Sequence, residues 1–159
     1  MSKHVVVHYS RTGNTRAVAE EIAERVPDPT VLQIRPTRER SYPNWLVRSF
    51  LPRATVPIEP MRTDLSGARA VFLGTPKWTL SCPPVSEFVR RADLDGVPTG
   101  LFVTYGGFDE RRYARSLVDR LRVHGADVRG TLLVQRDSAG DPEYADRIAM
   151  FRDAVIPDG

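Results

Sequence analysis

Five short apolar runs alternate with segments of helical period, and that alternation restricts the fold of this chain more than any other feature. The runs cover residues 5–9, 31–34, 70–73, 100–104 and 130–134. After the first, Val18, Ile22 and Val26 recur every fourth residue, with Glu20, Glu21 and Arg25 on other faces. Tyr113, Leu117 and Leu121 repeat the spacing, and Tyr144, Ile148 and Phe151 line one side of the last segment. Strands separated by helices must pair parallel, because the intervening helix returns the chain to the edge where it began. Near-continuous apolar strands fit a sheet covered on both faces. The pattern predicts a doubly wound α/β fold: a five-stranded parallel sheet with helices on both faces.

The length of 159 residues suits a single domain spanning 1–159, and a hydrophobic content of 41% supplies its core. No stretch approaches the length of a transmembrane segment. The N-terminus lacks a signal-peptide pattern, so a cytoplasmic protein is expected. The single cysteine, Cys82, excludes an internal disulfide. The three histidines show no ligand spacing, and no metal site is expected.

An irregular crossover at about 36–61 interrupts the regularity, with five of the 13 prolines. From Arg35 to Arg62 there are six arginines and two glutamates, a local +4 in a chain of net charge +3. One helix fits over 42–51, with Pro43 in its first turn and Trp45, Leu46 and Phe50 as apolar positions. The basic segment suits an acidic partner protein, the extra phosphate of NADPH, or an anionic membrane surface. Trp45, Leu46, Phe50 and Leu51 with nearby arginines form an interfacial patch in the last case, which suits a quinone substrate. The plainer alternative is a helix packing its apolar face on the sheet beneath solvated arginines. Nucleic-acid binding is not expected, since arginines elsewhere alternate with Asp and Glu. Asp64-Leu65-Ser66-Gly67 and Asp93-Leu94-Asp95-Gly96 read as helix-to-strand turns with a left-handed glycine.

Ligands of open α/β sheets bind beyond the carboxyl ends of the strands. After the first strand comes Ser10-Arg11-Thr12-Gly13-Asn14-Thr15, leading into a helix. Unpaired N–H groups at a helix start attract a phosphate, and the hydroxyls and the Asn14 amide add donors. A capped strand-to-helix turn is the ordinary alternative. The loop contains neither GxxxxGK[ST] nor GxGxxG, and Cys82 has Phe88 rather than arginine six positions on, which excludes a phosphatase loop. After the third strand, Trp78 on a proline-stiffened loop offers a flat surface, or caps the core. After the fourth, Thr104-Tyr105-Gly106-Gly107 adds a second plane and a close backbone approach. One loop for a phosphate and two for a planar ring fit a mononucleotide, flavin mononucleotide best.

The stretches YSRTGNT (from Tyr9), LGTPKWTLSCPPV (from Leu73) and VTYGG (from Val103) resemble the flavodoxin-like family, in the expected order and over almost the whole chain. The resemblance implies strand order 2-1-3-4-5. It implies that Ser10, Arg11, Thr12, Gly13, Asn14 and Thr15 hold the FMN phosphate. Thr75, Pro76, Lys77 and Trp78, with Thr104, Tyr105, Gly106 and Gly107, would flank the isoalloxazine. The chain is basic, whereas many electron-carrier flavodoxins are strongly acidic.

Three functions are compatible: electron transfer between redox partners, an NAD(P)H- or quinone-linked flavin-dependent oxidoreductase, and a flavin-free binding module. Partners would be a redox protein or a small-molecule acceptor, with a homodimer allowed. Lys77 beside the ring would favour the negative charge of the reduced flavin and raise its potential, or would point away as a solvated side chain. Cys82 is a redox-active thiol at a helix start or, more simply, a small residue filling a turn. A catalytic side chain is not identifiable.

Overall fold

The computed structural model describes residues 4–51 and 54–156. The apolar runs form β1 His4–His8, β2 Pro29–Gln33, β3 Ala70–Pro76, β4 Pro98–Tyr105 and β5 Asp127–Gln135. All neighbours pair parallel in the order β2-β1-β3-β4-β5, as the resemblance implied. The helices are α1 Asn14–Glu24, α2 Tyr42–Ser49, α3 Pro83–Arg91, α4 Glu110–Val123 and α5 Ala145–Val155. Among the described residues, no helix is long and apolar enough to cross a membrane.

Successive strand residues point to opposite faces, and β1 is buried on both. Val5 and Val7 pack with Val85 and Phe88 of α3 and Leu117 and Leu121 of α4. On the other side Val6 packs with Val18 and Ile22 of α1 and Ile148 and Phe151 of α5. Each side chain so enclosed stabilises the fold by about 1.5–3 kcal/mol relative to exposure. Glycine at position 74 is a packing requirement, since a Cβ there would lie 2.2 Å from the Phe102 ring.

The structure departs from the sequence reading at several points, among them α2, which ends at Ser49 and not at residue 51. β3 runs on through Gly74, Thr75 and Pro76, so part of the expected loop is strand. Asp64–Gly67 is not a helix-to-strand turn, because α2 ends at Ser49, far upstream. Its Gly67 is not left-handed, although Gly96 is, at φ 71°. The two similar tetrapeptides instead lie side by side, joined by a parallel bridge between Asp64 and Asp93. The long crossover closes on itself, with Glu59 N–H donating to Arg35 C=O (2.7 Å) and Thr37 N–H to Pro57 C=O (3.0 Å). Pro52 and Arg53 lie outside the described residues.

His8 ends β1, is 3% exposed, and has no hydrogen-bond partner at either ring nitrogen among the described residues. Burial, reinforced by the Arg16 charge and opposed by Glu20, holds its pKa below the ordinary 6.5. The unfolded chain therefore takes up this proton first as pH falls, and stability drops with it. The contribution is complete above pH 6.5 and is lost as pH falls from there through the folded value. Urea midpoints measured across this window should decline for the native chain, and His8→Leu should remove that part of the decline.

Candidate functional site

The strand-to-helix turn after β1 depends on one residue. Gly13 occupies the N-cap of α1 at φ 103°, a left-handed torsion that side chains resist. A Cβ there would touch nothing within 4 Å, so the constraint is torsional, not steric crowding. Gly13 N–H donates to Ser10 Oγ (2.9 Å), and Gly13 C=O accepts from Ala17 N–H (2.9 Å). Among the described residues no side chain caps α1, and its first turn has no acidic residue, so the first-turn amides are left without a built-in acceptor. Thr15, 1% exposed, bonds through its hydroxyl to that of Thr104 on β4 (2.7 Å), which anchors the helix start to the sheet.

A cavity of about 190 Å³ opens at this edge. From the first loop it is lined by Ser10, Arg11, Thr12, Asn14 and Thr15. Pro76, Lys77 and Trp78 border it from the end of β3, and Thr104 from β4. Lys77 N–H donates to Thr104 C=O (2.8 Å), which holds the two strand ends in register. The other expected residues do not line the cavity. Gly13 supplies the turn. The Thr75 hydroxyl is turned inward, donating to Pro76 C=O (2.8 Å) and lying 3.1 Å from Tyr113 Oη. Tyr105 is half-buried beside the cavity, while Gly106 and Gly107 form an exposed turn. The lack of a side chain at Gly106 admits the Arg136 guanidinium, which would lie 3.0 Å from a Cβ there.

Two lining residues were missed by sequence reasoning, Tyr42 and Arg136. Arg136 directly follows β5, so the rule applied to strands one, three and four would have found it at strand five. Tyr42 opens α2 within the irregular crossover, where no periodic signal marks which side faces the sheet edge. It supplies the second aromatic surface that had been expected from Tyr105.

Trp78 has two roles. One face stacks on Trp45 (centroids 5.4 Å apart, planes at 25°), and Tyr9 meets both indoles edge-on. The same Trp78 lines the cavity. Trp45 is fully buried, its Nε1–H donating to Glu39 Oε1 (2.6 Å), and Tyr9 O–H donates to that same oxygen (3.0 Å). Burial, with the nearby Cys82 and Glu39 charges, pushes the Tyr9 phenol well above its ordinary pKa, so it stays a donor. Arg40 covers the Trp45 ring at 5.2 Å.

The charge around the cavity has one sign. Arg11, Lys77 and Arg136 line it, and among the described residues no carboxylate does. The Arg11 guanidinium lies 5.5 Å from the Tyr42 ring centre, and Lys77 Nζ 5.5 Å from that of Phe108. Hydroxyls, an amide, open helix amides and cations form a donor set suited to a phosphate ester. Cys82 is 1% exposed at the N-cap of α3, and burial pushes its thiol up to about 12. It behaves as a core residue and not as an exposed thiolate.

No family model matches the sequence. Over 130 residues the chain is 34% identical to an uncharacterized protein of Archaeoglobus fulgidus, covering 80% of this chain and 82% of that one. Among solved structures, a flavoprotein in complex with FMN from Lactobacillus acidophilus NCFM aligns with a TM-score of 0.70 at 14% identity. That alignment covers 94% of this chain and 99% of the other. A flavodoxin of Streptococcus pneumonia TIGR4 aligns with a TM-score of 0.62 at 18% identity, covering 96% of each. At these identities the structural likeness establishes the fold.

Glu39→Ala leaves two buried donors, Tyr9 O–H and Trp45 Nε1–H, without their acceptor. The expected cost is about 2–4 kcal/mol of unfolding free energy, measured by urea denaturation followed by tryptophan fluorescence.

Proposed function

We infer that this chain, which has the flavodoxin-like fold, binds flavin mononucleotide at the carboxyl edge of its sheet and acts in electron transfer between redox partners. The observation that carries this reading is the lining of one cavity by phosphate donors, aromatic planes and three cations, with no carboxylate among the described residues. FMN, when bound, supplies the ring that accepts and returns electrons.

The chain's own residues bind, orient and tune. Ser10, Thr12, Asn14 and Thr15 offer donors to the phosphate beside the open amides of α1, in the turn that Gly13 permits. Arg11 and Arg136 add charge from opposite elements, the first loop and the turn after β5. Pro76, Lys77, Trp78 and Thr104 border the ring, and Tyr42 adds a further aromatic surface. Thr75, Tyr105, Gly106 and Gly107 act on the shape of the site. Thr75 fixes the Pro76 carbonyl, and Gly106 leaves room for Arg136.

A second reading, an NAD(P)H- or quinone-linked oxidoreductase, draws on the same charges. Three cations exceed the charge of one phosphate dianion, and the surplus suits an anionic electron donor such as NAD(P)H.

The absorbance spectrum of the purified protein, before and after added FMN and then with NADH or NADPH, tests these readings. Uptake of FMN is expected, and its absence overturns both. Rapid reduction by a pyridine nucleotide alone selects the second. Arg136→Gln should weaken FMN binding about tenfold at low salt and leave riboflavin, which lacks the phosphate, unchanged. Lys77→Gln should lower the two-electron midpoint potential by about 20 mV, read by spectroelectrochemical titration.

A further inference from the structure

We propose that the C-terminal end of α2 and the adjoining turn after β3 form a docking surface for an anionic lipid bilayer. Val47, Phe50, Leu51 and Leu80 are 69%, 62%, 65% and 52% exposed. They arise from backbone segments held directly together. Leu80 N–H and Ser81 N–H both donate to Ser49 C=O (3.0 and 2.9 Å), and Ser81 Oγ donates to Leu51 C=O (2.9 Å). Ser49 Oγ and Thr79 Oγ1 lie 2.6 Å apart and close the joint. Of the residues expected to form an interfacial patch, Phe50 and Leu51 are exposed and Leu46 is half-buried. Trp45 is withdrawn into the core, and Val47 and Leu80 take its place beside Phe50 and Leu51.

The charge beside this patch is predominantly positive. Arg40 lies within the fields of Arg38 and Arg48: burial lowers the Arg40 pKa first, the Arg48 and Arg38 charges lower it further, and the Glu39 charge opposes them. Glu39, the acid between them in sequence, spends Oε1 on Tyr9 and Trp45. Among the described residues none of the three arginines forms an ion pair with a carboxylate. Protruding apolar side chains next to clustered guanidinium groups match the boundary between anionic headgroups and acyl chains. A protein partner would need a concave counterpart for four projecting side chains, whereas a bilayer deforms around them. Leu80 lies two residues from Trp78, so docking would bring the cavity rim close to the lipid phase.

Co-sedimentation of the full chain with vesicles of phosphatidylcholine, with and without phosphatidylglycerol, tests the proposal. Binding to the anionic vesicles at low salt, weakened at physiological salt and absent with phosphatidylcholine alone, is expected. Phe50→Ser should reduce the partition coefficient about tenfold, and Arg48→Gln about fivefold. Both positions lie outside the cavity lining, so FMN uptake and the melting temperature serve as folding controls. No binding to anionic vesicles at low salt overturns the proposal, as does binding that neither substitution weakens. Self-association without vesicles that Phe50→Ser abolishes also overturns it, and assigns the patch to a second copy.

Discussion

Parallel pairing is the constraint on which the rest of this molecule depends. Each strand starts at the same edge, so the chain must cross back over the sheet before it can pair again. The crossovers cover both faces and leave the turns after β1, β3, β4 and β5 at one edge. Residues far apart in sequence meet there. The Thr15–Thr104 hydroxyl contact and the bond from Lys77 N–H to Thr104 C=O are the local fasteners of that convergence.

The regular part of the fold was legible because its signals are local. Apolar runs, four-residue spacing and glycine-rich turns each report the backbone nearby, and every expected strand and its order is present. The site was legible where a strand end led directly into a loop, as with Ser10–Thr15 and Pro76–Trp78. It was not legible where a side chain reaches in from elsewhere. Arg136 arrives past Gly106, a relation set by packing between β4 and the turn after β5. Tyr105 follows β4 as expected, yet Tyr42 from the crossover occupies the aromatic position in the lining. Trp45 illustrates the same limit: its spacing put it on the apolar side of α2, but nothing in that spacing distinguished full burial from the exposure of Phe50.

The distribution of acids explains much of the electrostatics. Between Arg35 and Ile58 the sequence has a single acid, Glu39. One oxygen of its carboxylate accepts from two aromatic donors, and it forms no ion pair with the flanking arginines among the described residues. One side chain thus stabilises the aromatic cluster while leaving positive charge on the surface above it. The cavity follows the same pattern, with cations held beside rings: Arg11 with Tyr42, Lys77 with Phe108. Such contacts orient a cation without neutralising it.

The stacked indoles carry a consequence of another kind. Trp45 and Trp78 are the two tryptophans of the chain, and they lie face to face at 5.4 Å. One belongs to the crossover and the other to the cavity lining. Their transition dipoles are close enough to couple, so the tryptophan part of the near-ultraviolet circular dichroism is expected to be the signature of a pair and not of two separate chromophores. That signal arises at a single corner of the molecule, where the crossover closes beneath the cavity. Any loosening of that corner would be visible optically while the remainder of the sheet stayed silent.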